Sequence, residues 1–159
     1  MNTENASDKM EEEIKFYSET GKYGEFSNFA FFPIRLKNRT WNTTEHFYQA
    51  QKFENEAYQE KIRKAESPMK GAELGRSRKE RILKNWDDKK DNVMFEALRA
   101  KFTQHPELGQ MLRDTGNAKI IEHTENDAYW GDGGDGKGKN KLGKILMKVR
   151  EELREKPNL

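Results

Sequence analysis

Residues 129–156, YWGDGGDGKGKNKLGKILMKVREELREK, join a glycine-rich loop to the clearest helix in the chain. Leu142, Ile145, Leu146, Val149 and Leu153 recur at helical spacing, which predicts an apolar stripe facing a core and no chemistry of its own. The loop before it is different in kind. Gly131, Gly133, Gly134, Gly136 and Gly138 carry no Cβ, so the backbone there can take φ > 0 and approach a ligand closely. Lys137, Lys139 and Lys141 add positive charge, and the loop runs into a helix N-terminus, where free N–H groups favour a phosphate. The spacing is neither a P-loop nor a dinucleotide fingerprint, and no buried strand is evident before it. A flexible, solvated loop is the plainer reading of glycine alone. Trp130 and Asp132 argue against it, because disordered linkers seldom carry tryptophan.

Outward from this segment the chain reads as α+β: a helix-rich single domain with a small antiparallel sheet. Ile14–Tyr17 is a strand, and Pro33–Trp41 a strand pair around a turn at Lys37-Asn38-Arg39. Helices are expected over 44–54 and 56–65, the second stopped by Ser67-Pro68, and a short one from Pro68 to Gly75. Met94, Leu98 and Phe102 with Val93 and Ala97 mark a helix over 88–103, and Leu108, Met111 and Leu112 another after Pro106. Ile120-Ile121 is a brief strand. The polar start, MNTENASDKMEEE, reads as a disordered tail over 1–13, leaving 14–156 as one domain with no internal repeat or linker.

A chain of 159 residues suits one domain with a real core. Only 33% of the residues are hydrophobic and 36% are charged, so that core must lean on seventeen aromatics. A net charge of +2 is too small to attract nucleic acid by bulk field, and any anion site must be a local cluster. With no cysteine there is no disulfide, no thiol nucleophile and no thiolate metal site, which suits a cytoplasmic protein. No apolar run is long enough to span a membrane, so no membrane partner is expected. His46, His105 and His123 show no ligand spacing, and neither metal nor cofactor is expected.

The second informative stretch is WNTTEHFYQAQKF, residues 41–53. On a helix, Glu45, Tyr48, Gln49 and Lys52 share one face, placing a carboxylate, an amide and an ammonium in a row. Phe47, Ala50 and Phe53 fall on a core-facing side. Asn42 and Glu45 also have the spacing of a capping box, a stabilising device without chemistry, and Lys52 alone would pass as a surface lysine. Trp41, Trp86 and Trp130 sit beside polar residues; a flat ring at such a boundary stacks on a heterocyclic base, although a core ring with its N–H at the edge is the more ordinary use of each.

FYSETGKYGEFSNFAFFPIRL, TWNTTEHFYQAQKF, SPMKGAELGRSR, NWDDKKDNVMFEALRAKF and EHTENDAYWGDGGDGKGKNKLGKILMKVRE together resemble the NADAR superfamily, and within it the bacterial YbiA-like N-glycosidases. The resemblance runs from Phe16 to Glu152 without large gaps, with Asp135 its one departure, at a position that varies inside the loop. It implies hydrolysis of N-glycosidic bonds. Bacterial and plant members act on the ribosylamino-pyrimidine phosphate intermediates of riboflavin synthesis, and other members remove ADP-ribose from guanine. It places the family's active-site glutamate on Glu45, its tryptophan on Trp86 and its glycine-rich element on Tyr129–Gly133.

Breaking a C–N glycosidic bond builds positive charge at C1′ and negative charge on the leaving base, so the enzyme needs a carboxylate, a proton donor, and anchors for phosphate and ring. Glu45 fits the carboxylate. Lys52 can bind phosphate, donate a proton, or attack C1′ as an amine, and the charge role is the one preferred here. Asp132 is the second acid–base candidate. Trp86, Trp130, Tyr129 and Gln49 would meet base and sugar, and Arg76, Arg78, Lys139, Gly131 and Gly133 the phosphate, with Asn140 closing the loop or reaching a ribose hydroxyl. The expected partner is a small, ribosylated, phosphorylated substrate, with ADP-ribosylated nucleic acid as the alternative. A binding module for ADP-ribose would use the same loop without needing Glu45. The pattern carries no signature of oligomeric state.

Overall fold

The computed structural model describes residues 13–156, so the tail expected over 1–13 lies, but for Glu13, outside the described residues. In chain order the elements are β1 (Glu13–Phe16), a 3-10 turn (Gly24–Phe26), β2 (Ile34–Leu36), β3 (Arg39–Trp41), α1 (Thr44–Ala50), α2 (Glu56–Arg63), α3 (Pro68–Arg76), α4 (Trp86–Gln104), α5 (Pro106–Asp114), β4 (Lys119–Glu122) and α6 (Lys141–Glu155). The fold is α+β and rich in helix. Two compact units emerge: one spans Asn28–Gln104, and the other joins the segment up to Ser27 to the segment from His105 onward.

In the 28–104 unit, β2 and β3 form an antiparallel hairpin in the register Ile34↔Trp41, Arg35↔Thr40, Leu36↔Arg39. Lys37 and Asn38 take φ of 55° and 63°, the left-handed pair that a two-residue hairpin turn demands, so Arg39 belongs to the strand and not to the turn. Thr43, Asn55 and Ser67 cap α1, α2 and α3, each side chain accepting a main-chain N–H three residues on. The cap of α1 is thus Thr43, not Asn42. The expected capping box with Glu45 is one residue out of frame. Nor does α1 reach residue 54: Phe53 is drawn into a β-bridge with Ile82, and Leu83 N–H donates to the Lys52 carbonyl at 2.8 Å. Ile34, Trp41, Phe47, Ala50, Phe53, Ile62, Ala97 and Ala100 make the core. Trp41 is therefore a core ring, edge-on to Phe47 at 5.3 Å, its indole N–H donating to the Leu36 carbonyl.

In the other unit, β1 lies parallel to β4, from Glu13↔Lys119 to Phe16↔Glu122. Only an antiparallel sheet was expected. A parallel partner must be reached by a crossover, and here most of the chain lies between the two strands, so no local pattern announces the pairing. The apolar stripe of α6 is buried as its spacing predicts, with Leu142, Leu146, Val149 and Leu153 at 1% exposure or less. Buried Arg150 donates to Thr115 Oγ1 and the Ala118 carbonyl, tying α6 to the chain leading into β4.

Candidate functional site

Every residue of α1 is buried, polar ones included, because β3, α2, α3 and α4 all pack around this short helix. Glu45 is 8% exposed and Gln49 7%, so the polar stripe read from the sequence is not a solvated face. Gln49 Nε2 donates to Glu45 Oε2 at 2.6 Å, a charge-assisted bond one helical turn long. Lys52 follows in the turn after α1. Its Nζ approaches the Gly75 carbonyl at 3.5 Å and lies 5.8 Å from the centroid of Tyr48. Burial, foremost, pushes the Lys52 pKa down; Glu45 pulls it up, and Arg78, Arg76 and Lys90 press it down again. A lysine in these surroundings is closer to a reactive amine than an ordinary surface lysine is.

The same unit holds Trp86, buried at the start of α4 with its ring 5.2 Å from Tyr48. Arg76 and Arg78 are exposed at the end of α3, and Arg78 Nη1 is turned toward the carbonyls of Gly75, Arg76 and Ser77. Glu45, Gln49, Lys52, Arg76 and Arg78 thus gather in one unit, with Lys90 joining them from α4. A carboxylate, a depressed-pKa lysine and a cationic rim suit chemistry on an anionic substrate.

The glycine-rich loop belongs to the other unit and is braced by Asp132. This carboxylate is 4% exposed; Oδ2 meets His123 Nδ1 at 2.8 Å, while Oδ1 accepts the N–H groups of Gly134 at 2.9 Å and Thr124 at 3.1 Å. Burial is the largest influence and raises its pKa, but the bonds from His123, Gly134 and Thr124 outweigh it and hold the carboxyl below its ordinary value. Both oxygens are occupied and the group stays ionised, which suits a brace better than a proton donor. The main-chain N–H groups at the helix start, expected to receive a phosphate, are also in use. Those of Gly138, Lys139, Asn140, Lys141 and Leu142 donate to the carbonyls of Asp132, Ala128, Gly131, Tyr129 and Trp130.

Gly133, Gly134 and Gly136 take positive φ, as the tight path requires. Asn140 closes the loop: its Nδ2 donates to the Ile120 carbonyl and its Oδ1 accepts Glu122 N–H, so its side chain is committed to β4. Tyr129 and Trp130 are half-buried and edge-on at 4.9 Å, with Lys139 and Lys141 Nζ 5.4 and 5.9 Å from the Tyr129 centroid. A pocket of about 230 Å³ in this unit is lined by Lys15, Lys119, Lys139 and Lys144 together with Asn140 and Asp132. Sequence reasoning missed His123 as the partner of Asp132, Lys90, and Gly75. The signal for Gly75 was present in part: Gly71 and Gly75 lie one turn apart in SPMKGAELGRSR, a spacing that suits a close helix approach, but only Gly75 requires its bare Cα. Among the described residues no three His, Cys, Asp or Glu side chains converge as a metal cluster, and no helix is long and apolar enough to cross a membrane.

A family model described as the NADAR domain matches residues 15–154. The chain is similar to N-glycosidase YbiA of Escherichia coli (strain K12), 57% identical over 140 residues that cover 88% of each chain. It is also similar to a riboflavin biosynthesis protein of Vibrio vulnificus (strain YJ016), 42% identical over 149 residues, covering 94% of this chain and 41% of that one. Among solved structures, the NMR structure of the E. coli protein YbiA matches with a TM-score of 0.87 and 54% identity, over 92% of this chain and 88% of that one.

Proposed function

The chain belongs to the NADAR family and is a hydrolase of N-glycosyl compounds, and we propose that it cleaves the C–N glycosidic bond of ribosylamino-pyrimidine phosphates of riboflavin synthesis, releasing ribose 5-phosphate. The reach of the family match supports taking residues 14–156 as one functional domain.

The observation that carries this reading is the buried Glu45 carboxylate, held by Gln49 and followed on the same stripe by Lys52. As the C1′–N bond breaks, its electron pair goes to the pyrimidine amine, which takes up a proton. Water adds its oxygen to C1′ and gives a proton to Glu45. A negative charge fixed beside the oxocarbenium-like centre strengthens in the transition state, and acid–base help of this kind is worth about 10²–10⁴-fold. Lys52, whose burial favours release of its proton, gives that proton to the leaving base, a role these surroundings favour over the charge role preferred from the sequence. Within the 28–104 unit Arg76 and Arg78 provide cations for the phosphate and Trp86 a ring surface; in the other unit close packing at Gly131 and the left-handed turn at Gly133 shape the glycine-rich loop. Asp132 and Asn140 hold that loop in place and exchange no proton.

A second reading rests on the lowered Lys52 pKa: the free amine attacks C1′, displaces the base, and forms an imine with the opened sugar that water then hydrolyses. The test incubates purified protein separately with the ribosylamino-pyrimidine phosphates and with ADP-ribosylated guanine DNA. Release of ribose 5-phosphate from the first is the expected result. Release of ADP-ribose from the second alone would move the assignment to nucleic-acid repair, and a thermal shift without any released product would reduce the protein to a binding module.

A further inference from the structure

We propose that Gly75 and Gln49 are positioning residues for Glu45: the bare Cα of Gly75 lets α3 approach α1 closely enough to lock the Gln49 amide with its N–H directed at the Glu45 carboxylate. This rests on the reading of Glu45 as the reacting carboxylate.

Gly75 is not glycine for the sake of its backbone. It is absent from the positive-φ positions and sits inside α3, where Ala would be the better helix former. Space explains it instead. A Cβ built on Gly75 would fall on Gln49 Oε1, with Gln49 Cδ at 2.7 Å and Cβ at 3.1 Å. One turn earlier the crowding is gone: a Cβ on Gly71 would find His46 Cδ2 at 3.6 Å, an ordinary contact.

The trapped amide has one good partner and one unmet group. Nε2 donates to Glu45 Oε2 at 2.6 Å, while Oε1 is buried and accepts nothing. An unsatisfied buried acceptor is unfavourable, yet turning the amide over would set Oε1 against a carboxylate, which is worse. The observed orientation is therefore the one that an ionised Glu45 selects. With Nε2 on Glu45 and Oε1 sealed against α3, the Gln49 amide is held in one orientation. It acts through Glu45, fixing the carboxylate rotamer.

The experiment compares Gln49→Leu, Gly75→Ala, Gly75→Ala/Gln49→Ala, Gly71→Ala and Glu45→Gln on whichever of the two N-glycosides the wild type turns over, with Tm for each. Gln49→Leu should lower kcat by about 10²-fold with KM within about twofold, because a loosened carboxylate loses geometry and not substrate affinity. Its acid limb of kcat should move to higher pH, since the lost N–H favoured the charged form. The other charges in this cluster, Lys52 after α1, Arg76 and Arg78 at the end of α3 and Lys90 on α4, are unchanged by that substitution. Gly75→Ala should lose kcat and Tm together. The double variant removes the clash, so its Tm should return to the wild-type value or above while kcat stays low; Gly71→Ala should leave both unchanged. Wild-type kcat in Gln49→Leu, or kcat regained in the double variant, overturns the proposal. If Glu45→Gln itself still turns over, the reading of Glu45 falls and takes this with it; if Glu45→Gln is dead and Gln49→Leu is not, only this inference fails.

Discussion

Removing the Asp132 carboxylate should cost the glycine-rich loop its brace, and the geometry sets the size of the loss. Three bonds converge on this buried group: His123 Nδ1 on Oδ2, and the N–H groups of Gly134 and Thr124 on Oδ1. Bonds to a charged acceptor are each worth about 1.5–3 kcal/mol, but three that share one carboxylate do not add in full, so Asp132→Ala, which also strands two main-chain donors, should lose about 3–5 kcal/mol in all. For a chain of this length that is a fall in Tm of about 6–20 °C. Asp132→Asn keeps a neutral acceptor in the same place and should lose about 1–2 kcal/mol, or about 2–8 °C. The pH dependence follows from the lowered pKa. A carboxylate depressed in the folded state stabilises fully above its unfolded pKa of about 3.9 and loses that contribution as pH falls through the folded value. The gap between wild type and Asp132→Ala should therefore be flat from about pH 5 to 8 and close only in acid below about pH 4. Urea melts at several pH values, with kcat on the folded variants, test this. A Tm for Asp132→Ala within about 2 °C of wild type would refute the brace. Unchanged stability in Asp132→Asn with kcat down by about 10³-fold would make Asp132 an acid–base group after all.

Gly138→Ala should destabilise by about 2–4 kcal/mol, because its Cβ would lie 2.5 Å from the Asp132 carbonyl carbon and 2.6 Å from the Gly131 oxygen, both main chain. Gly136→Ala meets open space and carries only its left-handed φ of 81°, about 1–2 kcal/mol; urea midpoints in the reverse order would contradict the loop geometry. Lys52→Arg should lose about 10²–10⁴-fold in kcat despite keeping its charge, since a guanidinium holds its proton, and full activity in that variant would return Lys52 to a phosphate ligand. Borohydride added to wild type with substrate separates the two remaining roles: a sugar-phosphate adduct mapped to Lys52 marks a nucleophile, and its absence a proton donor. EDTA should leave turnover unchanged, as among the described residues the donor groups for a metal do not converge; activity lost to EDTA and restored by one metal would show otherwise.

The helices were legible because burial writes itself at a period of 3.6: Met94, Leu98 and Phe102, or Leu142 to Leu153, identify their elements unaided. The hairpin was legible from the turn at Lys37-Asn38-Arg39, although its extent was not, since only Lys37 and Asn38 take left-handed backbone and of the two only asparagine favours it. Pairing between distant strands was not, since β1 contains nothing that names β4 as its neighbour. At the site, the row Glu45, Gln49 and Lys52 followed from spacing within one helix. Its burial did not, because the elements that close over α1 come from elsewhere in the chain. Gly75 shows the same limit more sharply, for its value lies in a Cβ that a side chain on another helix forbids. Asp132 could be singled out by its place among glycines. Its partners could not, because the path of the loop decides which N–H groups reach it.

Glu45→Gln is the most direct test of catalysis by the buried carboxylate. Glutamine keeps the shape of the side chain and one acceptor oxygen for the Gln49 N–H while removing the charge, so the fold should survive with Tm within about 4 °C of wild type. Release of ribose 5-phosphate from a ribosylamino-pyrimidine phosphate, followed under single-turnover conditions at equal folded concentration, should then fall by at least about 10²-fold. Release at close to the wild-type rate would show that the bond is broken without the Glu45 carboxylate.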